Sequence, residues 1–126
     1  MAIKRPIVKP VSKYNYEVVE DYLYDNLVIP KGYKTNGANI PRVFWSIFPP
    51  NSPEYLSAII VHDFICDVAT NDVSCPVILG DTQKEIFEHA DNNLKAMMLE
   101  LGCSKLKANI FYWSVRLYHK IKYWRK

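Results

Sequence analysis

Several things are scarce in this chain of 126 residues. Cysteine occurs three times, at Cys66, Cys75 and Cys103, with no CxxC or Cys/His spacing. That argues against a locally encoded zinc motif and against a disulfide framework, and it suits a reducing compartment. Cys66 and Cys103 fall on apolar helical faces and read as packed thiols. No apolar run approaches the roughly 20 residues that span a bilayer. The first residues, Met1 to Pro6, carry charge with no apolar segment behind it, so no signal peptide is legible. Internal repeats and low-complexity tracts are missing. Acidic residues are absent from Lys105 onward, although thirteen occur before it. Seven of the sixteen basic residues lie in that last stretch, so a formal charge of +3 hides an acidic body and a basic C-terminal segment. Such a segment is either a solvated helix face or a contact surface for an acidic partner, anionic lipid or nucleic acid.

A hydrophobic content of 49% excludes disorder, and the length fits one domain, residues 1–126. Residues 5–35 read as β-rich. Tyr14 to Val19 alternates and is rich in aromatic and β-branched side chains. Tyr22-Leu23-Tyr24 and Leu27-Val28-Ile29 flank the turn-forming Asp25-Asn26, and Pro30 to Tyr33 forms a second turn before a short strand at 33–35. Residues 36–52 read as a loop, because Gly37, Pro41 and Pro49-Pro50 interrupt regular structure; Phe44, Trp45 and Phe48 are candidates to anchor it. Residues 53–118 are helical. The first helix runs from a Ser52 cap with Pro53 at its first position to about Ala69. The second is capped by Asp81 and ends near Leu101, with Gly102 as the left-handed residue that follows. The third is capped by Ser104, and Leu106, Ile110, Trp113, Leu117 and Ile121 recur at helical spacing as its apolar stripe. Residues 119–126 form a basic tail. The expected class is α+β: a small antiparallel sheet of two or three strands packed on three C-terminal helices.

The chemistry-bearing residues stand out against this frame. His62 and Asp63 interrupt the apolar run Ser57 to Cys66, and a buried charge without partners costs several kcal/mol, roughly. As helix neighbours they point about 100° apart, so they serve different partners. The short connection makes the first two helices antiparallel neighbours, which brings Asp91 within reach of His62. A carboxylate on one imidazole nitrogen fixes the tautomer and raises the basicity of the other, which can then deprotonate water. Asp63 can hold a hard cation with carbonyls of the Asn36-Gly37-Ala38-Asn39 loop, or pair with Arg42. The structural alternative is a polar network that only holds the helices together. Glu85, Glu88 and His89 read as the solvated side of the second helix, and His119, among basic residues, reads as exposed. Tyr112, Tyr118, Tyr123 and Trp124 read as exposed aromatics, which with Arg116, Lys120, Lys122, Arg125 and Lys126 make a candidate binding tail.

Two resemblances bear on these residues. Gly32 to Arg42, followed by Trp45, Phe48-Pro49-Pro50, His62-Asp63, Ala90-Asp91, Gly102 and the helix from Ala108 to Leu117, resembles a family of small phage and prophage proteins known as domain of unknown function 1353. The resemblance covers residues 14–118 and implies a phage context: the cytoplasm of an infected or lysogenic bacterium, or the virion. The family's loop reads Thr-Asp-Gly-Ala-Ser-Ile-Pro-Arg; here Thr35, Gly37 and Arg42 are kept, while Asn36 and Asn39 replace the acid and the serine. His62-Asp63, with Asp91 on the next helix, is also similar to the helix pair of phospholipases A2. That similarity implies His62 as general base, Asp91 as the acid that orients it, and Asp63 as a ligand of Ca²⁺; Cys66 stands where a tyrosine is common. Two functional readings follow. One is a phage-derived accessory or virion-associated protein that binds phage or host proteins. The other is a small Ca²⁺-dependent hydrolase. The charge lost at Asn36 favours the first.

Overall fold

The computed structural model describes residues 6–11, 15–24, 27–35, 55–73 and 79–123. Among the described residues, five short strands precede three helices: β1 (Val8–Pro10), β2 (Tyr16–Val18), β3 (Tyr22–Tyr24), β4 (Leu27–Ile29), β5 (Lys34–Thr35), α1 (Leu56–Ala69), α2 (Gln83–Glu100) and α3 (Lys105–Tyr123). The α+β arrangement is the expected one. The β region is more divided than expected, forming two sheets instead of one. One has the antiparallel order β1-β2-β5, and the other is the β3-β4 hairpin. In the hairpin Tyr22 pairs with Ile29 and Leu23 with Val28. Tyr22, Leu27 and Ile29 face the core while Leu23 and Val28 are exposed, the alternation that one buried face imposes. In the other sheet the Lys9–Glu17 cross-strand pair carries an exposed ion pair of 3.6 Å.

α1 is the central element. Every residue from Ser57 to Cys66 is buried, so it is enclosed on all sides and not amphipathic. α2 packs on α1, α3 packs on α2, and β5 lies against α1. Tyr33, just before β5, meets Phe64 of α1 edge to face, with ring centroids 5.4 Å apart.

The helix ends are fixed by specific bonds. The expected Asp81 cap of α2 is replaced by Thr82, whose hydroxyl accepts the Glu85 backbone N–H at 3.1 Å. The Thr82-x-x-Glu85 spacing is that of a capping box, which explains why the threonine and not its neighbour takes the position. Past α2, Gly102 adopts φ +96°, and the N–H groups of Gly102 and Cys103 return to the carbonyls of Leu99 and Met98. This is a Schellman closure, which needs a left-handed residue where glycine stands. Ser104 caps α3 as expected, accepting from the Lys107 N–H at 3.1 Å. α1 starts later than expected, at Leu56 with Tyr55 in the cap position, instead of at Pro53 behind a Ser52 cap. The loop anchors Phe44, Trp45 and Phe48, and Cys75, lie outside the described residues.

α3 presents the opposite face to the one expected. Leu106, Trp113, Leu117 and Ile121 are 71%, 65%, 59% and 54% exposed, while Ala108, Phe111, Val115 and His119 are buried. Both sets recur at helical spacing, so periodicity alone could not choose between them. The buried set wins because His119 completes a polar network in the core. α3 also continues past residue 118 to Tyr123, so the start of the supposed basic tail is part of the helix. Tyr112 and Tyr118, expected to be exposed, are half-buried.

Candidate functional site

α1, α2 and α3 each send polar side chains to one point in the core. His62 and Cys66 are one turn apart on α1 and share a face. Asp91 comes from the buried face of α2, between Phe87 and Leu94. Arg116 and His119 come from consecutive turns of α3. His62, Asp91 and His119 are all 0% exposed.

Asp91 is the hub. Its Oδ1 lies 2.8 Å from His62 Nε2, and its Oδ2 lies 2.9 Å from His119 Nδ1. Arg116 Nη1 donates to the same Oδ2 at 3.2 Å, from a side chain that is 18% exposed. Burial alone would raise the carboxyl pKa, but the hydrogen bonds from His119 and His62 outweigh it and hold the group below the usual aspartate range. Burial pushes the His119 imidazole down, against the pull of Asp91, so the ring is neutral at pH 7. With Nδ1–H directed at the carboxylate, its Nε2 is the unprotonated nitrogen, and it lies 3.7 Å from Cys66 Sγ. The same sulfur lies beside the His62 ring, 3.7 Å from Nε2 and 4.0 Å from Nδ1. Burial pushes the Cys66 thiol well above its ordinary value, with Asp91 and Asp63 adding to the effect. The two imidazoles stack with centroids 5.8 Å apart, and His119 lies on the Phe87 ring at 4.2 Å. The Arg116 guanidinium balances the Asp91 charge, so the cluster is a closed polar network with its donors directed at one carboxylate.

Asp63 points from an adjoining face of α1, about 100° round from His62. The Thr35 hydroxyl donates to its Oδ2, which ties α1 to β5. One turn on, Asp67 Oδ2 accepts from the Tyr33 hydroxyl at 2.7 Å. Burial raises the Asp67 pKa more than this bond lowers it, and Asp63 and Asp72 push the same way as burial. Burial likewise drives the Tyr33 phenol far above its ordinary range, with Asp63 next in effect.

The expected His62–Asp91 contact is therefore present, and Asp63 sits where the chain leaves β5 toward the motif loop. Asn36, Gly37, Asn39 and Arg42 lie outside the described residues, as do Trp124, Arg125 and Lys126. Lys120 and Lys122 are exposed, and Lys122 Nζ donates to the Tyr118 hydroxyl at 3.0 Å. Arg116, assigned to the binding tail, reaches inward to Asp91 and also lines an outer hollow with Trp113, Leu117 and Lys120. His119, expected to be exposed, is a member of the core network. Its cationic neighbours Lys120 and Lys122 suggested a solvated face; the spacing Ala108-Phe111-Val115-His119 was the signal that placed it inside. Glu85 and His89 are exposed as expected, and half-buried Glu88 lies 4.0 Å from Arg116.

The cluster is compatible with a metal ion. One donor atom from each of His62, Cys66, Asp91 and His119 lies within 4.8 Å of the others. The imidazole and thiol donors do not favour Ca²⁺, which takes oxygen ligands. No helix of the described residues is long and apolar enough to cross a membrane.

The chain matches the family described as "Protein of unknown function (DUF1353)" over residues 11–115, and it belongs to that family. It is also 28% identical over 109 residues to "Uncharacterized protein y4jT" of Sinorhizobium fredii (strain NBRC 101917 / NGR234). That alignment covers 82% of this chain and 28% of the relative, so the chain spans less than a third of the length of that protein. No solved structure matches the chain.

Proposed function

We propose that this chain is a phage-derived accessory or virion-associated protein that acts by binding, and that the outer face of α3 is its docking surface. The observation that carries this reading is the row Leu106, Trp113, Leu117 and Ile121, four large apolar side chains that are each more than half exposed along one helix. Contiguous apolar surface of this kind marks interfaces. Trp113 and Leu117 line an open hollow of about 280 Å³ together with Arg116 and Lys120. An aromatic anchor beside cationic side chains is the usual make-up of a binding hot spot. The partner that fits is a phage or host protein offering an apolar side chain for the hollow and acidic groups around it. A duplex nucleic acid fits less well, because those interfaces are more polar than this stripe. The buried Asp91 network serves here to hold α3 on α1 and α2 with that face outward.

A photo-crosslinking residue at position 113, in the full chain inside its bacterial host, tests this. The expected result is a discrete protein adduct that an equivalent probe at Asn92 of α2 does not give and that Lys120→Glu abolishes. Adducts to lipid or DNA, adducts common to both positions, or none at position 113 would overturn the reading.

One observation favours a second reading, hydrolysis. The His62–Asp91 contact of 2.8 Å leaves Nδ1 as a base, and Asp63 stands on the adjoining face of α1, where a cation such as Ca²⁺ could polarise an ester carbonyl. Complete burial of His62 ranks this reading second, because water and substrate must reach the ring. It requires ester hydrolysis that His62→Ala abolishes without unfolding the chain, and a melting temperature that rises with millimolar Ca²⁺.

A further inference from the structure

We infer that His62, Cys66 and His119 form a site for a divalent transition ion of borderline softness, best matched by Zn²⁺, with Asp91 as the carboxylate that orients both imidazoles. The ligands come from two helices that meet over α2, so the site is invisible to sequence spacing. His62 and Cys66 are one turn apart on α1, the arrangement that lets one helix face supply two ligands to one metal. His119 arrives from the far end of α3.

Three observations support the assignment. The first is distance. In a tetrahedral zinc site, with Zn–S about 2.3 Å and Zn–N about 2.05 Å, sulfur and nitrogen stand roughly 3.5 Å apart. Cys66 Sγ lies 3.7 Å from His119 Nε2 and 4.0 Å from His62 Nδ1, so adjustments of about 0.5 Å or less bring these pairs to bonding geometry. The second is the carboxylate. Each Asp91 oxygen takes a different imidazole, at 2.8 and 2.9 Å, which leaves the other nitrogen of each ring available to an ion; Cys66 Sγ lies 3.7 Å from His119 Nε2 and beside the His62 ring, 3.7 Å from its Nε2 and 4.0 Å from its Nδ1. Carboxylate–histidine–metal relays are built this way, with the carboxylate fixing the tautomer and raising ligand basicity. The third is donor chemistry. A thiolate and two imidazoles select zinc-like ions over Ca²⁺ or Mg²⁺. The site is also enclosed, as structural zinc sites are. Asp91 holds both rings by hydrogen bonds and is not itself a ligand. Loading replaces the Cys66 S–H proton by the metal and releases that proton to solvent, with no change of oxidation state. A loaded site occupies His62 Nδ1, so it excludes His62 from acting as a base.

The test uses the full chain without a histidine tag, stripped with chelator and then titrated with Co²⁺ and with Zn²⁺. The expected result is one ion per chain, the intense visible bands of tetrahedral Co²⁺ and a thiolate-to-cobalt charge-transfer band, all displaced by Zn²⁺. Cys66→Ser should lose the charge-transfer band. The double variant Cys75→Ser/Cys103→Ser, whose single thiol is Cys66, should keep it, which keeps the test decisive if Cys66→Ser fails to fold. No uptake at one equivalent, a pale octahedral spectrum, or loss of the charge-transfer band in the double variant would overturn the assignment.

Discussion

Replacing Asp91 by asparagine changes one oxygen to an amide and removes one charge from the core. In the native chain the carboxylate accepts from His62, His119 and Arg116. Asparagine keeps one acceptor oxygen and turns an NH₂ toward the remaining donors. If its oxygen stays with His62, both His119 Nδ1–H and the Arg116 guanidinium face a donor. Breaking a buried ion pair by removing one partner costs about 3–5 kcal/mol. Arg116 is partly exposed and can turn back to water, which places the expected loss near the lower end, about 3 kcal/mol. At roughly 4 °C per kcal/mol for a chain of this size, the melting temperature of metal-free protein should fall by about 12 °C. Urea titrations followed by circular dichroism measure the free energy, and the slope should stay unchanged. Arg116→Gln in the Asp91→Asn background should cost less than in the native one, since the pair is already broken. A loss under about 0.5 kcal/mol, the size of an ordinary surface substitution, would refute the claim that Asp91 is the hub.

Acid should destabilise the metal-free chain in two stages. The pKa of His119 is depressed, so the unfolded chain takes up a proton first and stability should fall as the pH drops below about 6.5. Asp91 is also depressed; its contribution is fully present above about 3.9 and is lost as the pH falls through the lower folded value. Urea midpoints across this range show the first stage, and His119→Gln should flatten it. On α3, Phe111→Ala should cost about 3–5 kcal/mol, while Trp113→Ala, two positions on, should stay within about 0.5 kcal/mol. Equal losses would mean that the helix is rotated from the orientation described. Gly102→Ala should cost about 1–2 kcal/mol for its left-handed backbone alone, since a Cβ there meets nothing within 4 Å.

The class of the fold was legible because the strong local signals agree with the tertiary structure. Alternation at Tyr22 to Ile29, the capping serine at 104 and the glycine at 102 all act within a few residues. The α2 cap was misplaced by one position because aspartate and threonine are both good caps and only the glutamate three residues later separates them. The His62–Asp91 contact was legible because two polar residues on adjoining apolar helices have few other places to go. His119 was not, since its role depends on the rotation of α3 about its own axis. Two apolar stripes compete for the core on that helix, and the deciding factor is a carboxylate 28 residues earlier. The inward bond of Arg116 was hidden for the same reason: whether its guanidinium meets Asp91 depends on how α3 is rotated.

The hub also bears on how the chain reaches its fold. α1 and α2 are consecutive, joined by residues 70–82, and pack on each other, so they can meet before α3 arrives. Closed without α3, that pair would enclose Asp91 with only an imidazole for company, which makes the two-helix form poor as a resting state. The carboxylate thus acts as a proofreading element: it withholds its stabilisation until the arginine and the second histidine arrive. Assembly and loss of the three helices should then occur together, with urea melts followed by tryptophan fluorescence and by helix content tracing the same curve.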